Sequence, residues 1–337
     1  MVAPATLLWA GWPHVLRAQQ FDPPSLDRVF QEARLAEEII NAGGSNLLKG
    51  KIVLTLFYEP STRTRLSFEF ATYHLGGRVL SSEAAREFSS AAKGESIEDT
   101  IRVVCRYRPA AIVIRHYHEG AAERAASVAA DPRTRGPIPV FNAGDGPGQH
   151  PTQALLDAYT VWRHRGTLEG ATVAVAGDLL YGRTARSLCY LLAKYPGVSV
   201  RMVAPEAVQM KEDLVAYLRR HRVPVVQTDD LAAAVRGADV LYVTRIQKER
   251  FGDDLKTYER VRDAFSVTPQ ILAGLPPHAI VMHPLPRVEG PRSELPTAVD
   301  ADPRVVIFDQ TEAGMYIRMA LLRLTCATDR HRHWAGR

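Results

Sequence analysis

Short runs of consecutive apolar residues alternate along this chain with stretches in which apolar residues return every third or fourth position. That pattern is the signature of buried strands separated by amphipathic helices. Residues 24–41 place Leu26, Val29, Phe30, Ala33, Leu35, Ala36, Ile39 and Ile40 at helical spacing, just after the start signal Asp22-Pro23-Pro24-Ser25. A leading helix is expected there. Strands are expected over 51–57, 78–81, 111–115 and 139–142, with helices near 62–75, 94–106, 119–130 and 151–163. From Thr172 a second series opens with Val173-Ala174-Val175-Ala176-Gly177-Asp178. It continues through strands near 198–203, 224–227, 239–243, 279–282 and 305–308, and ends in a helix from Glu312 to about Leu324. Such alternation predicts an α/β fold of two doubly wound parallel-sheet domains, and 337 residues suffice for two cores. The boundary is expected where His150-Pro151 opens a helix after the flexible Ala143-Gly144-Asp145-Gly146-Pro147-Gly148, giving domains 1–150 and 151–310. A cleft between two α/β domains is where ligands bind.

Composition narrows the function classes. Hydrophobic residues make up 46% and charged residues 23%, a globular balance, and no apolar run approaches the ~20 residues that span a bilayer. Residues 5–12 are short and have no basic leader, so no signal peptide is read there, and a cytoplasmic location is expected. Cys105, Cys189 and Cys326 are widely separated, which implies neither a zinc site nor a disulfide framework. The net charge of +5 is scattered and lacks an interleaved aromatic platform, so an anionic small substrate explains it better than nucleic acid. The basic run at residues 330–334 reads as a solvated terminus.

The densest chemistry lies in Phe57-Tyr58-Glu59-Pro60-Ser61-Thr62-Arg63-Thr64-Arg65, between a buried strand and a helix carrying Leu66, Phe70 and Tyr73. Unpaired amides at a helix N-terminus, reinforced by the macrodipole, attract phosphate; the hydroxyls of Ser61, Thr62 and Thr64 add donors, and Arg63 adds a planar fork. The plainer reading is a capped helix with solvated arginines. Arg115, at the tip of the strand Ala111-Ile112-Val113-Ile114, is a second candidate oxyanion donor. In the second series, Arg183 and Arg245 each follow a strand end. Two guanidiniums with Gln247 beside them suit a dicarboxylate and repel a cationic amino acid, whereas two surface arginines in salt bridges would be the plainer account. Finally, His283-Pro284-Leu285-Pro286-Arg287 follows a buried strand, and its prolines fix a turn whose backbone carbonyl can accept from an amine or amide.

The run Phe57–Arg65, together with Leu66-Ser67-Phe68-Glu69, resembles the carbamoyl-phosphate signature of the aspartate and ornithine carbamoyltransferases. His150-Pro151-Thr152-Gln153, with Asp157 four residues on, is similar to that family's second signature. Thr244-Arg245-Ile246-Gln247-Lys248-Glu249-Arg250 and His283-Pro284-Leu285-Pro286-Arg287 are similar to the aspartate-type signatures, Pro284 standing where ornithine-type members carry cysteine. These motifs extend the resemblance over about residues 14–327. It implies carbamoyl transfer from carbamoyl phosphate to aspartate, an early step of pyrimidine synthesis, with no metal, nucleotide cofactor or covalent nucleophile. Carbamoyl phosphate is then held by Ser61, Thr62, Arg63, Thr64, Arg115, His150, Gln153, Pro284 and Leu285. Of these, Arg63, Thr64, Arg115 and His150 act in catalysis, His150 donating to the carbonyl oxygen and Gln153 holding the carbamoyl amide. Aspartate is taken by Arg183, Arg245 and Gln247. The resemblance also implies a homotrimer whose loop at Ser89-Ser90-Ala91-Ala92-Lys93 lends Ser89 and Lys93 to a neighbouring subunit, and a last helix, within 311–337, that completes the first domain. It leaves open whether regulatory chains or a dihydroorotase join the trimer. The segment Asp309-Gln310-Thr311-Glu312-Ala313-Gly314 is an unusual form of the family's stretch before that helix.

Three other readings stay open on sequence alone. A dehydrogenase would use the strand ending at Gly177-Asp178, but the following Leu179-Leu180-Tyr181-Gly182 lacks the G-x-G-x-x-G spacing. A carbamoyltransferase for another amino acid, or a silent relative kept as a scaffold, would share the same motifs.

Overall fold

The computed structural model describes residues 14–85, 93–131, 133, 137–245, 258, 262, 265–287, 290 and 293–327. The chain divides into two α/β units, residues 1–152 with 314–337, and residues 153–313.

The first unit holds β1 (Ile52–Phe57), β2 (Arg78–Ser82), β3 (Ala111–His116) and β4 (Val140–Asp145), all parallel, in the order β2-β1-β3-β4. Apart from the half-buried Arg115, β3 and β4 are buried throughout, which is why they read as unbroken apolar runs; β2 lies at the sheet edge with exposed residues. Among the described residues, four helices accompany the strands: α1 (Pro23–Asn41), α2 (Thr62–His74), α3 (Ile97–Arg106) and α4 (Ala121–Ala129). The Asp22 carboxylate caps α1 by accepting from the Ser25 amide at 3.0 Å, and the prolines occupy its first turn, where no N–H is needed. Small residues Ala121, Ala122, Ala125, Ala126 and Ala129 let α4 pack into a core with Ile101, Ile112, Ile114 and Val140.

The second unit holds β5 (Thr172–Ala176), β6 (Ser199–Val203), β7 (Val225–Thr228), β8 (Val240–Val243) and β9 (Ile280–Met282), again all parallel, in the order β7-β6-β5-β8-β9. Its helices are α5 (Pro151–Arg165, whose first two residues belong to the first unit), α6 (Arg183–Leu192), α7 (Glu212–Arg220), α8 (Leu231–Ala234) and α9 (Pro269–Ala273). The last helix, α10 (Ile307–Cys326), begins in the second unit and ends in the first.

One expected strand is absent. Residues 305–308 do not form a strand: Val305 makes a single parallel bridge to Val281, and the Gln310 amide then bonds to the Val306 carbonyl at 2.8 Å. The apolar Val305-Val306-Ile307-Phe308 run looks like a buried strand, yet it lies beside β9 for one bridge only before turning helical. The helix consequently starts at Ile307 rather than Glu312. Within the first unit, the end of α10 is tied down by Arg323 to Glu32 at 3.2 Å, by the Arg318 guanidinium 5.2 Å over the Phe68 ring, and by the Lys51 ammonium donating to the Cys326 carbonyl.

Two buried histidines make the first unit sensitive to acid. Nδ1 of His14 accepts from the Val140 amide at 3.1 Å, and Nδ1 of His116 accepts from the His118 amide at 3.0 Å. Burial lowers His14 from 6.5 to about 4; for His116 burial leads, with the His118 and Arg124 charges adding, and the value again falls to about 4. The unfolded chain takes up these protons near pH 6.5, whereas the fold refuses them until about pH 4, so the contribution of the two neutral histidines to stability is complete above 6.5 and is lost as pH falls between those values. Each histidine accounts for up to about 3 kcal/mol across that window. The urea midpoint is expected to drop steeply between pH 6.5 and 4.5, and less steeply in His14→Asn, whose side-chain oxygen keeps the acceptor without the proton. Equal slopes for parent and variant would rule out His14 as a source.

Candidate active site

In an open parallel sheet the ligand crevice lies at the carboxyl ends of the strands, where the chain reverses its direction of advance. In the first unit that point falls between β1 and β3, because β2 was added on one side of β1 and β3 and β4 on the other. Phe57 pairs with Arg115 across it, and the Tyr58 amide donates to the Arg115 carbonyl at 2.8 Å. The Ser61–Arg65 turn and Arg115 are thus brought together at the carboxyl ends of the two central strands.

Ser61 is the N-cap of α2, and its hydroxyl makes no capping bond. Thr62 and Arg63 are exposed at the rim, and partial loss of hydration lowers Arg63 from the ordinary arginine value. The two arginines of the motif have different surroundings. Arg65 is engaged by Glu69 at 3.1 Å and Glu83 at 3.0 Å, whereas no carboxylate among the described residues pairs with Arg63. Thr64 is buried, its Oγ1 3.5 Å from Nε2 of the buried His150, whose Nδ1 lies 3.4 Å from Thr152 Oγ1. Arg115 is held from two sides: Nη1 donates to the Ala143 carbonyl at 3.2 Å, and Nη2 lies 3.5 Å from Glu59 Oε2.

The loop that delivers His150 is organised by Asp145, which accepts from the Gly120 amide at 3.0 Å and the Gln149 amide at 2.8 Å. Burial, partly offset by those bonds, raises the Asp145 pKa above the ordinary aspartate value. At Gly146, with φ +51°, an added Cβ would lie 2.4 Å from the Tyr117 carbonyl oxygen, so no side chain fits this turn.

In the second unit the reversal point falls between β5 and β8, where Ala176 pairs with Val243. Arg183 opens α6 just after β5, and Arg245 lies two residues beyond β8; both are half-buried. The strand ends are pinned at Gly177, with φ +119°, where a Cβ would come within 2.2 Å of the Thr244 carbonyl oxygen. Beyond β9, Nε2 of buried His283 lies 3.0 Å from Oε1 of buried Glu294, while Nδ1 accepts from the Leu285 amide at 2.8 Å. Since Nδ1 is the acceptor, Nε2 carries the hydrogen and donates it to Glu294. This fastening holds Leu285 at φ +47° in the left-handed region. Arg287, by contrast, is bound through both terminal nitrogens by Asp300, at 2.5 and 2.6 Å, which raises its pKa.

Ser61, Thr62, Arg63, Thr64, Arg115 and His150 therefore all lie in the first unit, and Gln153, Arg183, Arg245, Pro284 and Leu285 in the second. Ser89 and Gln247 lie outside the described residues; Lys93 is exposed just ahead of α3. The sequence motifs point to no role for Glu59, Glu294, Asp157 or Gln310. Glu59 is the one acidic residue in an otherwise cationic turn, a visible signal. For Glu294 and Gln310 no local signal exists, because their partners lie 11 and 27 residues away in sequence.

A family model described as "Aspartate/ornithine carbamoyltransferase, carbamoyl-P binding domain" matches residues 13–163, and its companion, the "Asp/Orn binding domain", matches residues 169–325. The chain belongs to the aspartate/ornithine carbamoyltransferase family. It is 53% identical over 311 residues to aspartate carbamoyltransferase 2, chloroplastic, of Pisum sativum, covering 92% of this chain and 78% of the pea protein. The aspartate carbamoyltransferase catalytic subunit of Methanothrix thermoacetophila is 44% identical, with 92% and 97% covered. Among solved structures, aspartate transcarbamoylase from Trypanosoma cruzi in complex with N-(phosphonacetyl)-L-aspartic acid superimposes with a TM-score of 0.84 at 37% identity, covering 94% of this chain and 97% of that one. A form of the T. cruzi protein in complex with carbamoyl phosphate and aspartate gives 0.83 at 37% identity, with 94% and 98% covered.

Proposed function

We propose that this carbamoyltransferase-family chain is an aspartate carbamoyltransferase, which joins carbamoyl phosphate and L-aspartate to give N-carbamoyl-L-aspartate and phosphate, an early step of pyrimidine synthesis. The observation that carries the reading is that arginines lie at the reversal point of each sheet: Arg63 and Arg115 in one, Arg183 and Arg245 in the other. The names of the relatives, and the ligands named for the T. cruzi structures, support the same substrates.

In this reading the phosphate sits on the first turn of α2, met by the Ser61 and Thr62 hydroxyls and by Arg63. The carbonyl oxygen receives Thr64, Arg115 and His150, while Gln153 and the backbone of Pro284 and Leu285 take the carbamoyl amide. Arg183, Arg245 and Gln247 hold the two carboxylates of aspartate. The neutral amine of aspartate attacks the carbonyl carbon; a C–N bond forms, the tetrahedral oxyanion draws on Arg115, and collapse breaks the bond to the phosphate oxygen. The departing phosphate takes up the amine proton. Catalysis is then positioning plus fixed positive charge. Phosphate release measured with carbamoyl phosphate and either aspartate or ornithine is expected to show turnover with aspartate alone. Turnover with ornithine would move the chain to another acceptor, and none with either would favour a scaffold.

A homotrimer with Ser89 and Lys93 donated to the adjacent protomer belongs to the same reading. The first unit exposes Phe70 and Tyr73 on α2 and Leu80 on β2, each more than half accessible, apolar side chains that a second copy of the chain could cover. A sedimentation mass of one chain would refute it, and one larger than three chains would point to added regulatory or dihydroorotase partners. None of the described helices is long and apolar enough to cross a membrane. The reading includes a cytoplasmic location, against the chloroplast named for the plant relatives, and cell fractionation decides between them.

A further inference from the structure

Asp157 lies one helical turn beyond Gln153 on α5 and is completely buried. Its Oδ1 accepts from Gln153 Nε2 at 2.9 Å and from Gln310 Nε2 at 2.7 Å, and its Oδ2 accepts from the Tyr242 hydroxyl at 2.8 Å. Gln310 in turn offers its Oε1 to the His283 amide at 2.9 Å, at the start of the turn that carries Pro284 and Leu285. A carboxylate only accepts, so each side-chain amide facing it must present nitrogen. That orientation leaves Gln153 Oε1 as the atom offered to a ligand, and a carbonyl oxygen is what the –NH2 of a carbamoyl group requires. Burial, with the Asp157 charge adding, raises the Tyr242 phenol well above its ordinary value, so it remains a donor to the carboxylate.

We propose that Asp157 is a positioning residue for recognition of the carbamoyl amide: one buried carboxylate turns Gln153 into an acceptor and, through Gln310, anchors the His283–Leu285 turn. The inference rests on the reading that Gln153 receives that amide. It also gives Gln310, within the unusual Asp309–Gly314 segment, a role as the connector between Asp157 and that turn.

Acetyl phosphate tests this directly, because it replaces the –NH2 of carbamoyl phosphate with a methyl group and keeps the acyl phosphate. Dissociation constants for both ligands would be measured by calorimetry in the parent, Asp157→Asn, Gln153→Ala and the double variant. Asp157→Asn can present either end of its amide to Gln153, so carbamoyl phosphate binding should weaken about tenfold, the worth of one hydrogen bond, with acetyl phosphate unchanged. The double variant should bind like Gln153→Ala alone, as expected when one residue acts through the other. An Asp157→Asn protein that keeps the parent's preference for carbamoyl over acetyl phosphate, or weakens both equally, overturns the proposal. If Gln153→Ala itself keeps that preference, the assignment of Gln153 fails first. Should Asp157→Asn not fold, Gln310→Met keeps the carboxylate and its bond to Gln153 while releasing the His283 amide. It too should narrow the preference, and an unchanged preference counts against the proposal.

Discussion

Replacing Arg115 with alanine should lower kcat/KM for carbamoyl transfer about 100- to 1,000-fold, the usual cost of removing one preorganised oxyanion donor. Arg115 is not a loose surface arginine. Its carbonyl is bonded to the Tyr58 amide, its Nη1 to the Ala143 carbonyl and its Nη2 to Glu59, so the guanidinium is fixed before any substrate arrives. A group already in place needs no reorganisation as charge develops on the carbonyl oxygen, and that is why its removal weighs on the transition state more than on the ground state. The expected signature is a fall in kcat with a smaller change in KM for carbamoyl phosphate. Arg115→Lys should recover little of it, because an ammonium cannot reach Ala143, Glu59 and the substrate with one planar fork. Near-parent kcat in the alanine variant would show that Arg115 is a structural ion pair of Glu59 and nothing more.

Arg245→Ala should raise the KM for aspartate by a factor of about 100 or more, while the dissociation constant of carbamoyl phosphate stays as in the parent. The estimate follows from removing one partner of a charge-assisted carboxylate contact, typically worth 2–5 kcal/mol. Arg245 follows the end of β8, beside the end of β5 that leads to Arg183, so the two cations belong to one reversal point in the second unit. In the proposed reading carbamoyl phosphate, by contrast, meets its phosphate ligands on the first turn of α2 in the other unit. The split between the two substrates is therefore the diagnostic readout. Steady-state kinetics with aspartate varied, paired with calorimetry for carbamoyl phosphate, would measure it, and equal weakening of both ligands would contradict the division of roles.

Most of the architecture was legible because parallel sheets bury both faces of their strands. β1, β3, β5 and β8 appear as apolar runs bounded by turn residues, and each was located within a residue or two. The failure at 305–308 has the same origin: Val305-Val306-Ile307-Phe308 carries the composition of a buried strand, and only the lack of a partner beyond one bridge to Val281 turns it into the start of α10. Local composition records how buried a segment is, not what lies next to it.

At the candidate site the same division holds. Hydroxyls, prolines and arginines clustered at predicted strand ends are local facts, so Ser61, Thr64, Arg115, His150, Arg183 and Arg245 could be named from spacing and family resemblance before any coordinates. The order of the strands could not, and it is that order which sets β1 against β3 and β5 against β8. Which arginine is engaged was equally beyond reach: Arg63 and Arg65 are two residues apart, yet only the fold brings Glu83 to the second. Buried carboxylates such as Asp157 and Glu294 acquire their roles from partners far along the chain. The sequence alone determined the two-domain α/β pattern and the chemistry available at its turns, because hydrophobic periodicity and turn residues act over a few positions. The tertiary structure decided which groups meet, because hydrogen bonds and ion pairs depend on distances that chain separation does not reveal.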